Sequence, residues 1–229
     1  MITRDGFKEV AITTLTFGAG GIACAWAAWS VSPWFWIGAV PLLVAWMFVL
    51  SFFRDPPRTI PGDPGLMVSP ADGKITEVAR LEDGWPGIDE PVLKISIFLS
   101  VFNVHVNRAP CDGRVLATLY ERGEFLDVRH PESGMRNERN SITIDPDADY
   151  GPIIVRQIAG LIARRIVCHV DAGSQLRRGG RFGMIKFGSR TDLIVPASSG
   201  LEPAVKLGDV VKGGATILMR PGGASKAKG

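Results

Sequence analysis

The hydropathy pattern of the chain is uneven, and its strongest feature lies at the N-terminus. Residues 1–9 are polar, with Arg4 and Lys8. From Val10 to Trp29 no charged side chain occurs, Ser30 to Ser32 form a short polar break, and Pro33 to Phe53 are again free of charge. About 20 apolar residues cross a bilayer core as a helix, so the pattern predicts a helical hairpin. Trp26, Trp29, Trp34 and Trp36 cluster around the break, where an aromatic belt sits. Arg4 and Lys8 before the hairpin, and Arg54 and Arg58 after it, put both ends on the cytoplasmic side. A cleaved signal peptide fits poorly, because a second long apolar run follows the first. A buried globular hairpin and an interfacial one remain as alternatives.

Past the hairpin the texture changes. Arg54-Asp55-Pro56-Pro57-Arg58 stops the helix, since proline blocks its continuation. A linker runs to Pro64. Short apolar runs then alternate with Gly, Pro and Asp. Val68 to Ile75 reads as strand, turn and strand, and Val92 to Phe102 as one apolar strand. Val115–Tyr120, Ser141–Ile144 and Ile153–Val155 read as further strands, with Gln157–Val167 open between strand and short helix. Asp127 to Asn140 is a charge-dense loop. Val205 to Leu218 resembles the hairpin of barrel-sandwich hybrid domains. The prediction is a β-rich, mostly β domain with barrel-sandwich-like elements, carried behind a hydrophobic helical hairpin. The expected divisions are the hairpin 1–53, a linker 54–64, the β domain 65–220 and a disordered tail 221–229.

Composition narrows the function. The net charge of +3 and the absence of a basic patch with interleaved aromatics argue against nucleic-acid binding. The cysteines Cys24, Cys111 and Cys168 fit neither a zinc spacing nor a disulfide framework, and only three histidines occur, so no metal site is expected.

The chemistry centres on Gly183–Asp192, a short apolar run that passes through Gly188-Ser189 into polar residues. A serine hydroxyl one peptide bond from a glycine carbonyl can attack it and convert the amide to an ester. β-Elimination of the ester cuts the chain and leaves dehydroalanine, which hydrolyses to a pyruvoyl group able to hold an amine substrate as a Schiff base. Gly-Ser alone is also a common turn. His105 lies in alternating apolar residues, where a histidine is structural unless the reaction needs a group titrating near neutrality. Asp72, in Pro70-Ala71-Asp72-Gly73, is either a turn aspartate or a carboxylate that steadies a protonated histidine.

Several stretches together resemble the short branch of the phosphatidylserine decarboxylase proenzymes. They are Phe53-Arg54-Asp55-Pro56, Ser69–Gly73, Phe98-Leu99-Ser100 with Val104–Arg108, Asn137–Asn140, Gln157–Gly160 with Ala163–Ile166, and Arg181–Ser189. The resemblance implies decarboxylation of phosphatidylserine to phosphatidylethanolamine and CO2, with a covalent pyruvoyl cofactor made from Ser189. It implies a cut between Gly188 and Ser189 into chains 1–188 and 189–229, held as a heterodimer, with a higher homo-oligomer left open. It places the protein at the cytoplasmic face of the inner membrane. Ser189, His105 and Asp72 are the implied catalytic residues. One departure matters: the longer bacterial branch has a second histidine three residues after the one matching His105, and here Arg108 stands there. Arginine stays protonated and is a poor base, so His105 serves both steps or another group activates Ser189. Asn107, Arg108 and Arg139 are candidates for holding a phosphate or carboxylate, with Asn140, Arg164 and Arg165 behind them. Two alternatives stand: a non-catalytic barrel-sandwich adaptor or carrier at the membrane, and a decarboxylase of another serine-headgroup lipid such as archaetidylserine.

Overall fold

In the computed structural model, residues 1–130, 132–161, 165–186 and 188–222 are described; the tail residues 223–229, and Ala163, Arg164 and Phe187 of the matching stretches, lie outside them. The chain forms two units, Met1–Pro57 and Arg58–Gly229.

The first unit is the expected helix pair. One helix spans Arg4–Ser30 and the other Pro33–Phe52, and both are long and apolar enough to cross a membrane. Thr14–Gly18 is a π-helical turn within the first helix. Pro33 opens the second helix, where a missing N–H costs nothing. The helices meet through small residues. A Cβ on Gly18 would come within 3.1 Å of the Trp46 ring, and one on Gly21 within 2.8 Å of Leu43 Cγ. Close approach of this kind is how apolar helices associate without a hydrophobic drive between them. Trp46 Nε1 donates to Thr14 Oγ1 at 3.0 Å. The ends are tied by Thr3 N–H to the Phe53 carbonyl (2.9 Å) and by Asp55 N–H to the Met1 carbonyl (2.7 Å). Trp26, Trp29 and Trp34 are exposed. So much exposed apolar surface marks contact with something other than water; with the helix lengths it indicates membrane association.

The second unit is mostly strand. In chain order the strands are β1 (Met67–Val68), β2 (Gly73–Leu81), β3 (Val92–Leu99), β4 (Val106–Arg108), β5 (Gly113–Glu121), β6 (Arg139–Pro146) and β7 (Ile153–Ala159). They continue with β8 (Arg165–Cys168), β9 (Gln175–Leu176), β10 (Arg181–Lys186), β11 (Ser189–Pro196), β12 (Leu201–Pro203), β13 (Val210–Val211) and β14 (Ile217–Pro221). Eight form one sheet in the order β13-β2-β3-β11-β7-β6-β5-β9, and two three-stranded sheets, β4-β10-β8 and β1-β14-β12, complete the unit. Alternation sorts the side chains of β11: Thr191, Leu193 and Val195 turn inward, while Arg190 and Asp192 take the other face. The interior packs Ile75, Ile95, Ile97, Ile142, Val155 and Leu193.

Two expectations shift in detail. Gln157 belongs to β7, and Arg165–Val167 belong to a separate strand. The two strands of the C-terminal stretch do not pair with each other: β13 joins β2, whereas β14 joins β1 and β12. Gly208 and Gly214 take positive φ there (93° and 76°), so the turns exist, but they send the strands to different sheets.

Candidate active site

Ser189 is the first residue of β11, the strand between β3 and β7, and it pairs with Leu99 on one side and Ala159 on the other. It is fully buried. Its Oγ has no hydrogen-bond partner among the described residues. A buried hydroxyl left unsatisfied is costly and calls for an explanation. Gly188 precedes it with φ 58°, the left-handed region that glycine enters freely, and this breaks the run from β10 into β11. Gly160 lies against the same peptide: a Cβ there would sit 2.3 Å from the Gly188 carbonyl oxygen. Glycine at 160 is thus what allows the β7 end to approach the Gly188–Ser189 bond so closely.

His105 is also fully buried. Its carbonyl accepts from Ile185 N–H at 3.3 Å, which sets it beside β10, four residues before Ser189. Its Nδ1 lies 3.0 Å from the Asn103 carbonyl. A carbonyl only accepts, so Nδ1 carries the proton, and in the neutral ring the lone pair falls on Nε2. Asn103 is held in turn by Ser100, whose N–H and hydroxyl both donate to Asn103 Oδ1 (2.9 and 2.8 Å).

Asp72 follows the Ser69–Ala71 turn. Its carboxylate accepts Arg58 Nη2 at 3.0 and 2.8 Å and the Gly213 amide at 2.8 Å. The turn runs along the segment that carries His105: the Pro70 carbonyl accepts from Arg108 N–H at 2.9 Å and from Asn107 Nδ2 at 3.4 Å.

Asn107 belongs to a buried polar chain. Asn140 Nδ2 donates to Gln157 Oε1 (3.0 Å), Gln157 Nε2 to Asn107 Oδ1 (2.9 Å), and Asn107 Nδ2 to Thr191 Oγ1 (3.2 Å). Asn107 is two residues from His105 and Thr191 two from Ser189, so the chain links the segments that carry both. Arg108 is buried and donates through Nη1 to the Gly179 carbonyl at 3.0 Å. Arg139 holds Glu121 through two contacts of 2.8 and 2.6 Å.

Two adjoining cavities lie over the outer face of the sheet. One, of about 340 Å³, is mostly apolar and is lined by Phe98, Val101, Val128, Gly160, Leu161 and Gly188. Leu161 in its wall is largely exposed. The other, of about 370 Å³, holds Lys94, His130 and Arg190, and shares Phe98, Val128 and Arg129 with the first. Of this common wall, Phe98 comes from β3, and Val128 and Arg129 from the loop between β5 and β6. That loop is anchored by fully buried Asn137, which donates to the carbonyls of Leu126 and Ala159 (2.8 Å each) and accepts from Leu126 N–H (3.0 Å). Asn137, Gly160, Gln157 and Arg190 were not singled out from sequence. The first three fall inside the matching stretches; Arg190 carried no signal beyond its place after Ser189. Among the described residues no His, Cys, Asp or Glu group could hold a metal ion.

A β-rich unit with a Gly-Ser step whose serine is buried beside a cavity, preceded by an apolar helix pair, has the form of an enzyme that works at a membrane. The profile of the phosphatidylserine decarboxylase family matches residues 46–219. Phosphatidylserine decarboxylase proenzymes of Nitrosomonas europaea and Cupriavidus metallidurans are each 44% identical to the chain. The first match covers 95% of this chain and 94% of the relative, the second 82% and 84%. That of Geotalea uraniireducens is 42% identical over 95% of both. The chain belongs to the phosphatidylserine decarboxylase family.

Proposed function

We propose that the chain is a self-cleaving proenzyme that decarboxylates phosphatidylserine to phosphatidylethanolamine at the cytoplasmic face of a membrane. The observation that carries this reading is the buried Ser189 hydroxyl, without a partner among the described residues, behind the left-handed Gly188. Family membership gives that geometry its chemical direction.

Ser189 Oγ attacks the Gly188 carbonyl carbon and gives up its proton to a base, and the Ser189 nitrogen leaves and takes up a proton. The resulting ester then loses the Ser189 α-proton, and its Cβ–O bond breaks. Gly188 departs as a carboxylate, and the new N-terminus, after adding water and releasing ammonia, is a pyruvoyl group. His105 is the base we assign, because the Asn103 carbonyl fixes Nδ1–H and leaves the basic lone pair on Nε2. Asp72 is assigned to steady this machinery through the Ser69–Ala71 turn, which is bonded to the Asn107–Arg108 segment. The residues fit the cofactor: its carbon atoms come from Ser189, and the apolar cavity reaches Gly188. Once formed, the group supplies an electron sink for the bond to CO2. His105 then delivers a proton to the decarboxylated carbon, and the apolar walls limit water there. The helix pair keeps the site near its bilayer substrate.

Ser189→Ala is expected to leave one intact chain with no decarboxylation. The natural chain should resolve by mass spectrometry into 1–188 and 189–229, the smaller resistant to Edman degradation. An intact, active Ser189→Ala protein would overturn the proposal. His105→Ala should impair cleavage as well as turnover; normal cleavage with slow turnover would confine His105 to the second step.

A further inference from the structure

The polar cavity beside the cleavage site has no part in the reaction as derived so far. Lys94, Arg129 and Arg190 line it with Glu77 and His130, and each cation has one carboxylate partner, Glu77, Asp127 and Asp192 in turn. Lys94 and Arg190 are each about nine-tenths buried. Arg190 directly follows Ser189 and pairs with Phe98, the residue whose side chain both cavities share. Asp192 takes two of its N–H groups, Nε to Oδ1 at 2.7 Å and Nη2 to Oδ2 at 2.8 Å. A guanidinium has five, so donors remain for a ligand. Burial works against the charge on Arg190, but the hydrogen bonds and charge of Asp192, with Glu77 behind, outweigh it and raise its pKa. Lys94 is steadied by Glu77 at 2.7 Å and Arg129 by Asp127. These cations are oriented by their partners rather than consumed by them.

We propose that this cavity is the subsite for the phosphodiester of the lipid headgroup, with Arg190 as its central ligand and Lys94 and Arg129 beside it. The proposal rests on the decarboxylase reading. A headgroup whose amine reaches residue 189 through the apolar cavity has its phosphate only a few bonds away, and the neighbouring cavity holds the cations. The carboxylate of the headgroup is a poorer occupant. A cation gripping that carboxylate stabilises the ground state more than the transition state, in which its charge is leaving, and so opposes the reaction. A phosphodiester keeps its charge throughout and suits a fixed guanidinium. Arg190 is thus a specificity-determining residue, not a catalytic one.

The test uses the full chain and two probes: dispersed short-chain phosphatidylmethanol, a phosphodiester with neither amine nor carboxylate, and inorganic phosphate. Arg190 and Asp192 are changed together, as Arg190→Gln with Asp192→Asn, because removing one alone leaves a buried charge unpaired. Phosphatidylmethanol is expected to compete with dispersed short-chain phosphatidylserine. The double variant should raise both KM and the inhibition constant about tenfold, with kcat within about threefold. Arg129→Gln, on an exposed side chain, should raise both about threefold and covers the case in which the double variant fails to self-cleave. Unchanged constants in the variants, or a fall in kcat at constant KM, would overturn the subsite. Inorganic phosphate binding as tightly as phosphatidylmethanol would make it a free-phosphate site and also overturn it. Calorimetric binding of phosphatidylmethanol needs no turnover. An inactive natural enzyme that still binds the probe through Arg190 would sink the decarboxylase reading but not the phosphodiester site; an active enzyme that does not bind it would sink the site alone.

Discussion

In the unit Met1–Pro57 the large apolar side chains Trp26, Trp29 and Trp34 lie outside, and glycine and alanine lie between the helices. In the unit Arg58–Gly229 isoleucine and valine fill the interior, and Asn107, Gln157 and Thr191 are buried among them with their amides and hydroxyl bonded to one another. The first arrangement suits a surround that is itself apolar, where side chains gain nothing by hiding. The second suits water, where polar groups may be buried only if paired. The contrast also shows in what each unit can absorb. A helix pair joined by small residues yields by rotating a side chain, whereas a sheet crossed by a hydrogen-bonded chain has few ways to shift.

Replacing one glycine in each unit sharpens that contrast. Gly160→Ala drives a methyl against the Gly188 carbonyl oxygen, a backbone atom at 2.3 Å. Overpacking of about 1–3 kcal/mol displaces the bond to be cut, and self-cleavage should slow by up to about a hundredfold, followed as loss of the intact chain by mass spectrometry. Gly21→Ala meets Leu43 side-chain atoms that can rotate away, and it should leave cleavage unchanged. Equal effects of the two would remove the distinction between the units.

Deleting residues 1–57 is expected to be milder. The remaining unit should still cut itself, because every residue assigned to that step lies beyond Pro57. Turnover of phosphatidylserine in vesicles should fall about tenfold more than turnover of a dispersed short-chain analogue, since tethering acts through effective concentration. Equal losses on both substrates would mean that the helix pair helps to build the site.

Cys111 bears on stability at high pH and leaves cleavage and turnover at neutral pH untouched. Burial, with Asp112 and Asp147 adding to it, pushes its thiol up to about 12. The unfolded chain ionises nearer the ordinary thiol value, so the folded form keeps its proton longer. This contribution is complete below about pH 9 and is lost as pH rises toward 12. The natural protein should lose stability relative to Cys111→Ala across that window, by about 1.4 kcal/mol per pH unit, measured by denaturant unfolding. Parallel curves for the two would mean that the thiol ionises when folded.

The helix pair was legible because freedom from charge over two spans is a signal that no packing detail can hide. Ser189 could be proposed from sequence because the chemistry needs a hydroxyl one bond from a glycine carbonyl, a local arrangement, and because the matching stretches around it set that common turn pair apart. The buried amide chain was not. Its partners are 17, 50 and 84 residues apart, and each looks like an ordinary polar position in its own strand. Asn107 was picked out as a substrate contact, and the fold gives it bonds to Thr191, Gln157 and Pro70. Arg190 was overlooked because its proposed role depends on Val128 and Arg129, far off in the chain, lining the same cavity, which no periodicity in β11 announces. The C-terminal turns were read correctly as turns, but β13 is placed by β2 and β14 in part by β1, partners more than a hundred residues earlier.

The position of β11 has one more consequence. A cut before Ser189 leaves a piece of 41 residues whose first strand remains zipped to β3 and β7, while β13 stays on β2 and β14 on β1. On the proposed cleavage the fragments would not be subunits that find each other; they would be born already assembled, in a one-to-one ratio set by translation. Exchange between molecules would require stripping a central strand from both neighbours, which amounts to unfolding. Mixing two mature variants should yield no hybrids, and each molecule would carry for life the Gly188 carboxylate and the Ser189-derived terminus of its own chain.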